Sequence, residues 1–384
     1  MKAAELVQNE PFADLLAATL SDFLTLRFGG EWRVSWTDTA SGMRSQPWLV
    51  NLNINAIFRR GISRSALENI KREFAVSVIP WKRPFQRLYF WLATSAAPAL
   101  LAHAIVNVEP SIPNSTECLI IPGTHKLRFL DAAAGVVYCH LKKGSGHAHF
   151  QAELEAREFA VSKGVPVPHI LRKLSDDCIA EEMVIGTPLD RLTSSKHRAI
   201  GLRRALNAME PLYRSTARQI GVAEYASCLC SRIAAIASTR ETIVSTGALA
   251  VAGRLAGGCG LADQKVEIVR SHGDFQPGNI LYNEGEVWLI DWEYSTERQR
   301  QYDLLTYNLR TRFANGLGRR IAAYAGGLAD VSQLRLLQLF LLESILFELE
   351  ALMVAPSQYA PKSLNAKLAE IEIALPPVLR SCTG

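Results

Sequence analysis

Residues 271–295, SHGDFQPGNILYNEGEVWLIDWEYS, constrain this chain more than any other stretch. EIVR (267–270) reads as a strand and SHGDFQPGN (271–279) as a tight loop. ILYN (280–283) and VWLID (287–291) then read as two strands joined at Glu284-Gly285. A hairpin returns its ends to one place, which puts Asp291 beside the loop that carries Asp274 and Asn279. Turn chemistry explains Gly278 and Asn283-Glu284-Gly285, but not two carboxylates and an amide in that order. Hard oxygen donors of this kind suit Mg²⁺ on a nucleotide's phosphates. A carboxylate there also suits a group that takes the proton from an attacking hydroxyl. With a cation on the phosphates, these are the parts that phosphoryl transfer uses.

The rest of the chain sets bounds on that chemistry. At 384 residues it exceeds what one hydrophobic core usually serves, so two or three lobes are expected. Charged residues at 21% against 48% apolar ones indicate a globular chain, and a net charge of +5 is too mild to imply nucleic-acid binding. The seven cysteines include only one close pair, Cys228 and Cys230, and no CxxC, which fits free thiols in a reducing cytoplasm. MKAAELVQNEPFADLL lacks the apolar run of an export signal. Residues 88–108, LYFWLATSAAPALLAHAIVNV, carry no charged side chain and follow Lys82, Arg83 and Arg87. Pro98, His103 and Asn107 favour a buried helix and strand, with a membrane anchor and peripheral membrane contact as the alternatives.

Upstream, EPFADLLAATLSDFLTLRF (10–28) has helical spacing, EWRVSW (31–36) and PWLVNLNINAIF (47–58) suggest strands, and ISRSALENIKREFAVSV (62–78) is helical again. Pro110 and the polar SIPNSTE (111–117) mark a boundary. CLII, KLRFL and GVVYCHLKK follow as an antiparallel meander, then FQAELEAREFAVSKG as a helix and CIAEEMVIGTPL as a strand entering a linker. From about 190 onward the pattern is mainly helical.

HGDFQPGNIL…LIDWE (272–293) resembles the catalytic and metal loops of the aminoglycoside phosphotransferase and choline kinase family, which has a protein-kinase-like fold. The resemblance implies that Asp274 is the catalytic base, His272 an organiser of its loop, and Asn279 and Asp291 the Mg²⁺ ligands. YDLL (302–305) resembles the family's next acidic motif, where Asp303 would brace the loop. Gln276 stands where members commonly carry a second histidine. The resemblance also implies ATP held by an ion-paired lysine and glutamate. Among the lysines ending VVYCHLKK (136–143) and the glutamates of ELEARE (153–158) we expect Lys142 with Glu155; Lys143, Glu153 and Glu158 are the alternatives. Gly123 and Thr124 of PGTHK (122–126) would cradle phosphate, and the main chain of Glu182, Met183 and Val184 would hold the base.

The expected architecture is therefore α+β and two-lobed: an accessory region over 1–115, a β-rich nucleotide lobe over 116–187 and a mainly helical lobe over 188–384. The expected activity is ATP- and Mg²⁺-dependent phosphorylation of a hydroxyl on a non-protein acceptor. A protein kinase is disfavoured, because Gly273 and Gln276 stand where an Arg and a Lys are usual and no Ala-Pro-Glu follows. Arg298, Arg300, Arg310, Arg312, Arg319 and Arg320 fall on the expected acceptor side, which disfavours a polycationic aminoglycoside. A membrane-associated lipid or glycan kinase and a catalytically silent nucleotide-binding module are the alternatives. The expected partners are the nucleotide and the acceptor, with no nucleic acid.

Overall fold

The computed structural model describes residues 3–37, 47–74, 79–239, 243–259, 264–328, 330–354 and 359–379. The elements in chain order are α1 (Ala3–Asn9), α2 (Phe12–Phe28), β1 (Arg33–Thr37), β2 (Trp48–Asn51), β3 (Ala56–Arg59), α3 (Arg64–Phe74), α4 (Arg83–Trp91), β4 (Ala104–Glu109), β5 (Cys118–Pro122), β6 (Lys126–Asp131) and β7 (Val136–Leu141). Then come α5 (His147–Ser162), β8 (Ile170–Ser175), β9 (Cys178–Glu182), β10 (Thr187–Pro188), α6 (Ser195–Thr216), β11 (Arg218–Gly221), α7 (Val222–Thr239), α8 (Ile243–Gly257) and β12 (Lys265–Arg270). The last are β13 (Ile280–Asn283), β14 (Glu286–Leu289), β15 (Glu297–Gln299), α9 (Tyr302–Leu309), α10 (Leu317–Gly326), α11 (Val331–Val354) and α12 (Tyr359–Leu379). The class is α+β. The chain divides into two compact units, the first Met1–Val161, Pro166–Asn207 and Pro277–Glu293, the second Ser162–Val165, Ala208–Gln276 and Tyr294–Gly384.

The first unit is built on a nine-stranded antiparallel sheet, ordered β1-β4-β2-β3-β5-β6-β7-β9-β8. Alternate side chains of each strand go to opposite faces, and both faces are covered. Leu20 and Phe23 of α2 meet Trp48, Ile120, Phe129 and Tyr138 on one face. On the other, Phe90, Phe150 and Leu154 from α4 and α5 meet Phe58, Leu130 and Cys139. Burying each large apolar side chain contributes roughly 1.5–3 kcal/mol, so the two layers hold the sheet from both sides. The boundary expected at 115 does not divide this sheet: β3 pairs with β5 through Ile57↔Ile120 and Phe58↔Leu119. SIPNSTE is a connection within one unit, because the edge of β3 that β2 leaves open finds its backbone partners in β5, on the far side of that segment.

Residues 88–108 mix buried and exposed positions. Phe90, Ala93, Ala104, Ile105 and Val106 are buried, and β4 lies between β1 and β2. Among the described residues no helix is long and apolar enough to cross a membrane. The buried part of the apolar run is mostly the interior strand β4, and the large apolar side chains the run leaves exposed are Leu88, Trp91 and Leu100.

The hairpin read from the sequence is present: β13 and β14 pair from Ile280↔Leu289 to Asn283↔Glu286, with β10 added to β13. The second unit is mainly helical, with β11, β12 and β15 as a small antiparallel sheet. Its core joins Leu229 and Ile233 of α7, Val251 of α8, and Phe340, Leu341 and Ile345 of α11.

Candidate active site

In the first unit the site follows from strand parity. Lys126, Arg128 and Leu130 share one face of β6, while Leu127 and Phe129 turn to the α2 side. The Lys126 ammonium donates to both Glu153 carboxylate oxygens, at 2.6 and 2.7 Å, and lies 3.6 Å from Asp291 Oδ1. Arg128 Nη2 donates to the same Asp291 oxygen at 2.5 Å. Burial disfavours the Lys126 cation, but the Glu153 and Asp291 charges outweigh it and raise its pKa above the ordinary lysine value. Asp291, aided by other carboxylates, likewise raises that of Arg128 against burial.

These groups close one end of a cavity within this unit. Its remaining wall combines the apolar Ile121, Val137, Val184, Leu281 and Ile290 with Arg157, Glu181 and Glu182. Such a cavity suits a planar base between aliphatic side chains and an anionic group at the cations. Asp291 has φ +62°, a left-handed conformation that costs a non-glycine residue about 1–2 kcal/mol. Strain of this kind concentrates at functional sites. The Ile290 N–H donates to the Asn279 carbonyl at 3.1 Å, holding the two expected metal-ligand residues on neighbouring backbone.

The Lys142–Glu155 pair does not form. Lys142 donates to Glu10 at 2.7 and 2.8 Å, and Glu155 accepts from Gln151 on the exposed side of α5. The reason is parity. Helix α5 covers the face of β7 that carries Val137, Cys139 and Leu141, and Lys142 has the opposite parity. Of the alternatives, Lys143 pairs with Asp22 at 2.9 Å and Glu158 is exposed, while Glu153 is buried against Lys126. Lys126 and Arg128 were missed, although two cations at alternate positions of the apolar strand KLRFLD were a visible signal.

Gly123 lies in the β5–β6 turn, where a Cβ would meet the Lys126 carbonyl oxygen at 2.6 Å. Thr124 is half-buried in the same turn. The Glu182 N–H donates to His169 O and the Met183 N–H to Gly135 O, both at 2.9 Å. Those two donors are therefore taken up in the unit's own structure, correcting the expectation that they face a base. Val184 and Glu182 line the cavity.

In the second unit, the loop 271–276 is held by Asp303. Its carboxylate accepts from the His272 N–H at 2.8 Å, the Gly273 N–H at 3.1 Å and the Tyr213 hydroxyl at 2.8 Å. His272 is fully buried, and its Nδ1 accepts from the Asp274 N–H at 3.3 Å, so it shapes the loop from beneath. Gly273 has φ +86°, and a Cβ would fall 1.9 Å from Tyr294 O. No larger residue fits there. Arg298 donates to Ser271 Oγ and Tyr294 O, 4.4 Å above the Tyr302 ring, and so supports the loop.

Asp274 is 3% exposed and ion-paired with Arg312. Of the other arginines singled out in the sequence, Arg300 is paired with Glu210 and Glu267, and Arg320 donates to the Leu309, Asn315 and Phe313 carbonyls. Gln276 is 5% exposed, yet among the described residues its amide O and N meet no hydrogen-bond partner. An unsatisfied buried amide group costs about 1–3 kcal/mol, so this side chain is poised for a ligand or water.

No family model matches the chain, and no curated protein does. Solved structures do. The chain is similar to a choline/ethanolamine kinase family protein from Mesorhizobium loti, at 18% identity and a TM-score of 0.44, over 77% of this chain and 98% of that one. A choline kinase from Cryptosporidium parvum Iowa II matches at 14% identity and 0.42, over 68% and 92%. An aminoglycoside-3'-phosphotransferase of type VIII matches at 16% and 0.40, over 59% and 93%.

Proposed function

We propose that this protein transfers the γ-phosphoryl group of ATP to a hydroxyl of a non-protein acceptor. The observation that carries this reading is the buried Lys126–Glu153 pair, with Arg128 and Asp291, at the charged end of the first unit's cavity. Lys126 would grip phosphate and Glu153 would hold Lys126 in place, the parts first expected of Lys142 and Glu155. The apolar walls with Val184 would take the base, and the turn at Gly123 and Thr124 would cover the phosphates.

The donors suit Mg²⁺. Asn279 and Asp291 offer an amide and a carboxylate oxygen on adjoining backbone, and Mg²⁺ takes few protein ligands while keeping water and phosphate oxygens. When bound, the ion would neutralise the charge on the transferred group. In the reaction the bond between the β-bridging oxygen and the γ-phosphorus breaks and a bond from the acceptor oxygen to phosphorus forms. ADP leaves, and the acceptor's proton passes to Asp274. Asp303 and His272 keep Asp274 placed. Arg312, beside Asp274, favours a neutral or anionic acceptor, such as a sugar or lipid alcohol, over a polycation.

The test is acceptor-dependent ADP release across amino sugars, choline-like amines, neutral sugars, nucleosides and lipid alcohols, combined with ATP calorimetry. Asp274→Asn should abolish turnover and leave ATP affinity within a few-fold. Turnover like that of the wild type in Asp274→Asn would remove the base from the mechanism. Saturable phosphorylation of an aminoglycoside at micromolar concentration would overturn the acceptor reading.

A further inference from the structure

We propose that residues 79–91 of the first unit, the turn before α4 and the helix itself, form a docking surface for an anionic lipid bilayer. The inference stands apart from the phosphotransfer reading. Trp81 and Phe85 are each 66% exposed, Trp91 55%, Leu88 53% and Ile79 43%. Phe85, Leu88 and Trp91 are spaced i, i+3, i+6, which sets them along one side of α4. The opposite side is anchored: Phe90 is buried, and the Phe74 ring lies 6.3 Å from that of Phe90 and 6.0 Å from that of Tyr89. The helix is thus fixed to the unit by one side and presents large apolar side chains on the other. Contiguous exposed aromatic and aliphatic surface of this kind marks an interaction site.

The charges say what kind of partner fits. Lys82, Arg83 and Arg87 lie within this segment, and no Asp or Glu occurs anywhere in 79–108. The Lys82 ammonium sits 5.3 Å from the Trp81 ring centroid, so cation and aromatic ring are presented together. Helix α3, which borders α4, carries Glu68 and Glu73 together with Arg64, Lys71 and Arg72, and Glu68 lies within 3.5 Å of Lys71 and 3.1 Å of Arg72. A second copy of the same surface would oppose cations to cations with no carboxylate in the segment to offset them. A bilayer meets both needs: acyl chains and the interface receive Trp, Phe and Leu, and anionic headgroups receive Lys and Arg. Since no described helix can span a membrane, the mode is lying on the surface, through the nine residues of α4 and the turn before it.

The experiment is co-sedimentation of the full chain with phosphatidylcholine vesicles and with vesicles that also contain phosphatidylserine, at low and high salt. Binding should favour the anionic vesicles and weaken with salt. Lys82→Gln with Arg87→Gln should lower the partition coefficient roughly 30-fold, at about fivefold per surface cation. Phe85→Ser with Trp91→Ser should lower it on the order of 100-fold, with unchanged circular dichroism because both side chains are exposed. Brominated acyl chains should quench tryptophan fluorescence of the unmodified chain, a readout that needs no variant. Equal or absent binding to the two vesicle types overturns the proposal. So does a wild-type dimer, seen by sedimentation velocity, that Phe85→Ser with Trp91→Ser converts to monomer, since the surface would then belong to a second copy.

Discussion

Neutralising Glu153 tests whether Lys126 holds the place first assigned to Lys142. Both side chains of the Lys126–Glu153 pair are almost fully buried, at 10% and 5% exposure, with both carboxylate oxygens bonded. Removing one partner of a buried pair costs about 3–5 kcal/mol, because the other charge stays behind. Asp291 at 3.6 Å partly compensates the lysine, so for Glu153→Gln we expect the low end, about 3 kcal/mol. Lys126→Met should cost a similar amount, with Arg157 partly balancing the stranded Glu153. The double variant strands neither charge, so its cost should fall below the sum of the singles by about 2 kcal/mol. The assay is native-state hydrogen exchange of the β6 and α5 amides, which reads the free energy of local opening in this unit. ATP calorimetry on the same proteins should show affinity falling tenfold or more in Lys126→Met. Additivity within about 0.5 kcal/mol, the limit for uncoupled sites, would refute the pair. A larger coupling between Lys142 and Glu155 would refute the reassignment.

Gly273→Ala should remove turnover and lower stability by more than about 3 kcal/mol in thermal unfolding, because the new Cβ meets Tyr294 O and the residue needs φ +86°. Arg128→Met should release Asp291 and lower the Mg²⁺ concentration for half-saturation several-fold in Mg²⁺ titration calorimetry with ADP bound; an unchanged value would show that Arg128 does not compete at that carboxylate. Burial, opposed by bonds from Tyr225 and Gln299, raises the Glu343 carboxyl to about 7 from an ordinary 4.5. Between those values the folded chain keeps a proton that the unfolded chain has lost, so stability falls as pH rises through this window and levels off above it. The loss is up to about 3 kcal/mol, and Glu343→Gln should flatten that slope in urea unfolding at pH 5 and pH 8.

Asp274, Asn279 and Asp291 were legible in the sequence because they lie within eighteen consecutive residues around one hairpin. Local turn chemistry and strand alternation are enough to order such a segment. Asp303 was legible too, and the structure bonds it to the backbone of His272 and Gly273. The α+β class followed from a meander succeeded by long helical patterns. Lys126 and Arg128 could not be chosen in the same way. Both faces of the nine-stranded sheet are covered, so alternation says which strand residues share a face but not which face α5 takes. Lys142 was chosen over Lys143 alone, and it is α5 on one face and α2 on the other that give the place to Lys126. The extent of the sheet was hidden for a related reason: β3 joins β5 through backbone groups that every residue carries, and SIPNSTE reads alike as a boundary or a crossing. Chain-local geometry is written in consecutive side chains. The facing of a strand and the partner of a buried charge are set by whichever element packs on them, and that was decided only by the tertiary structure.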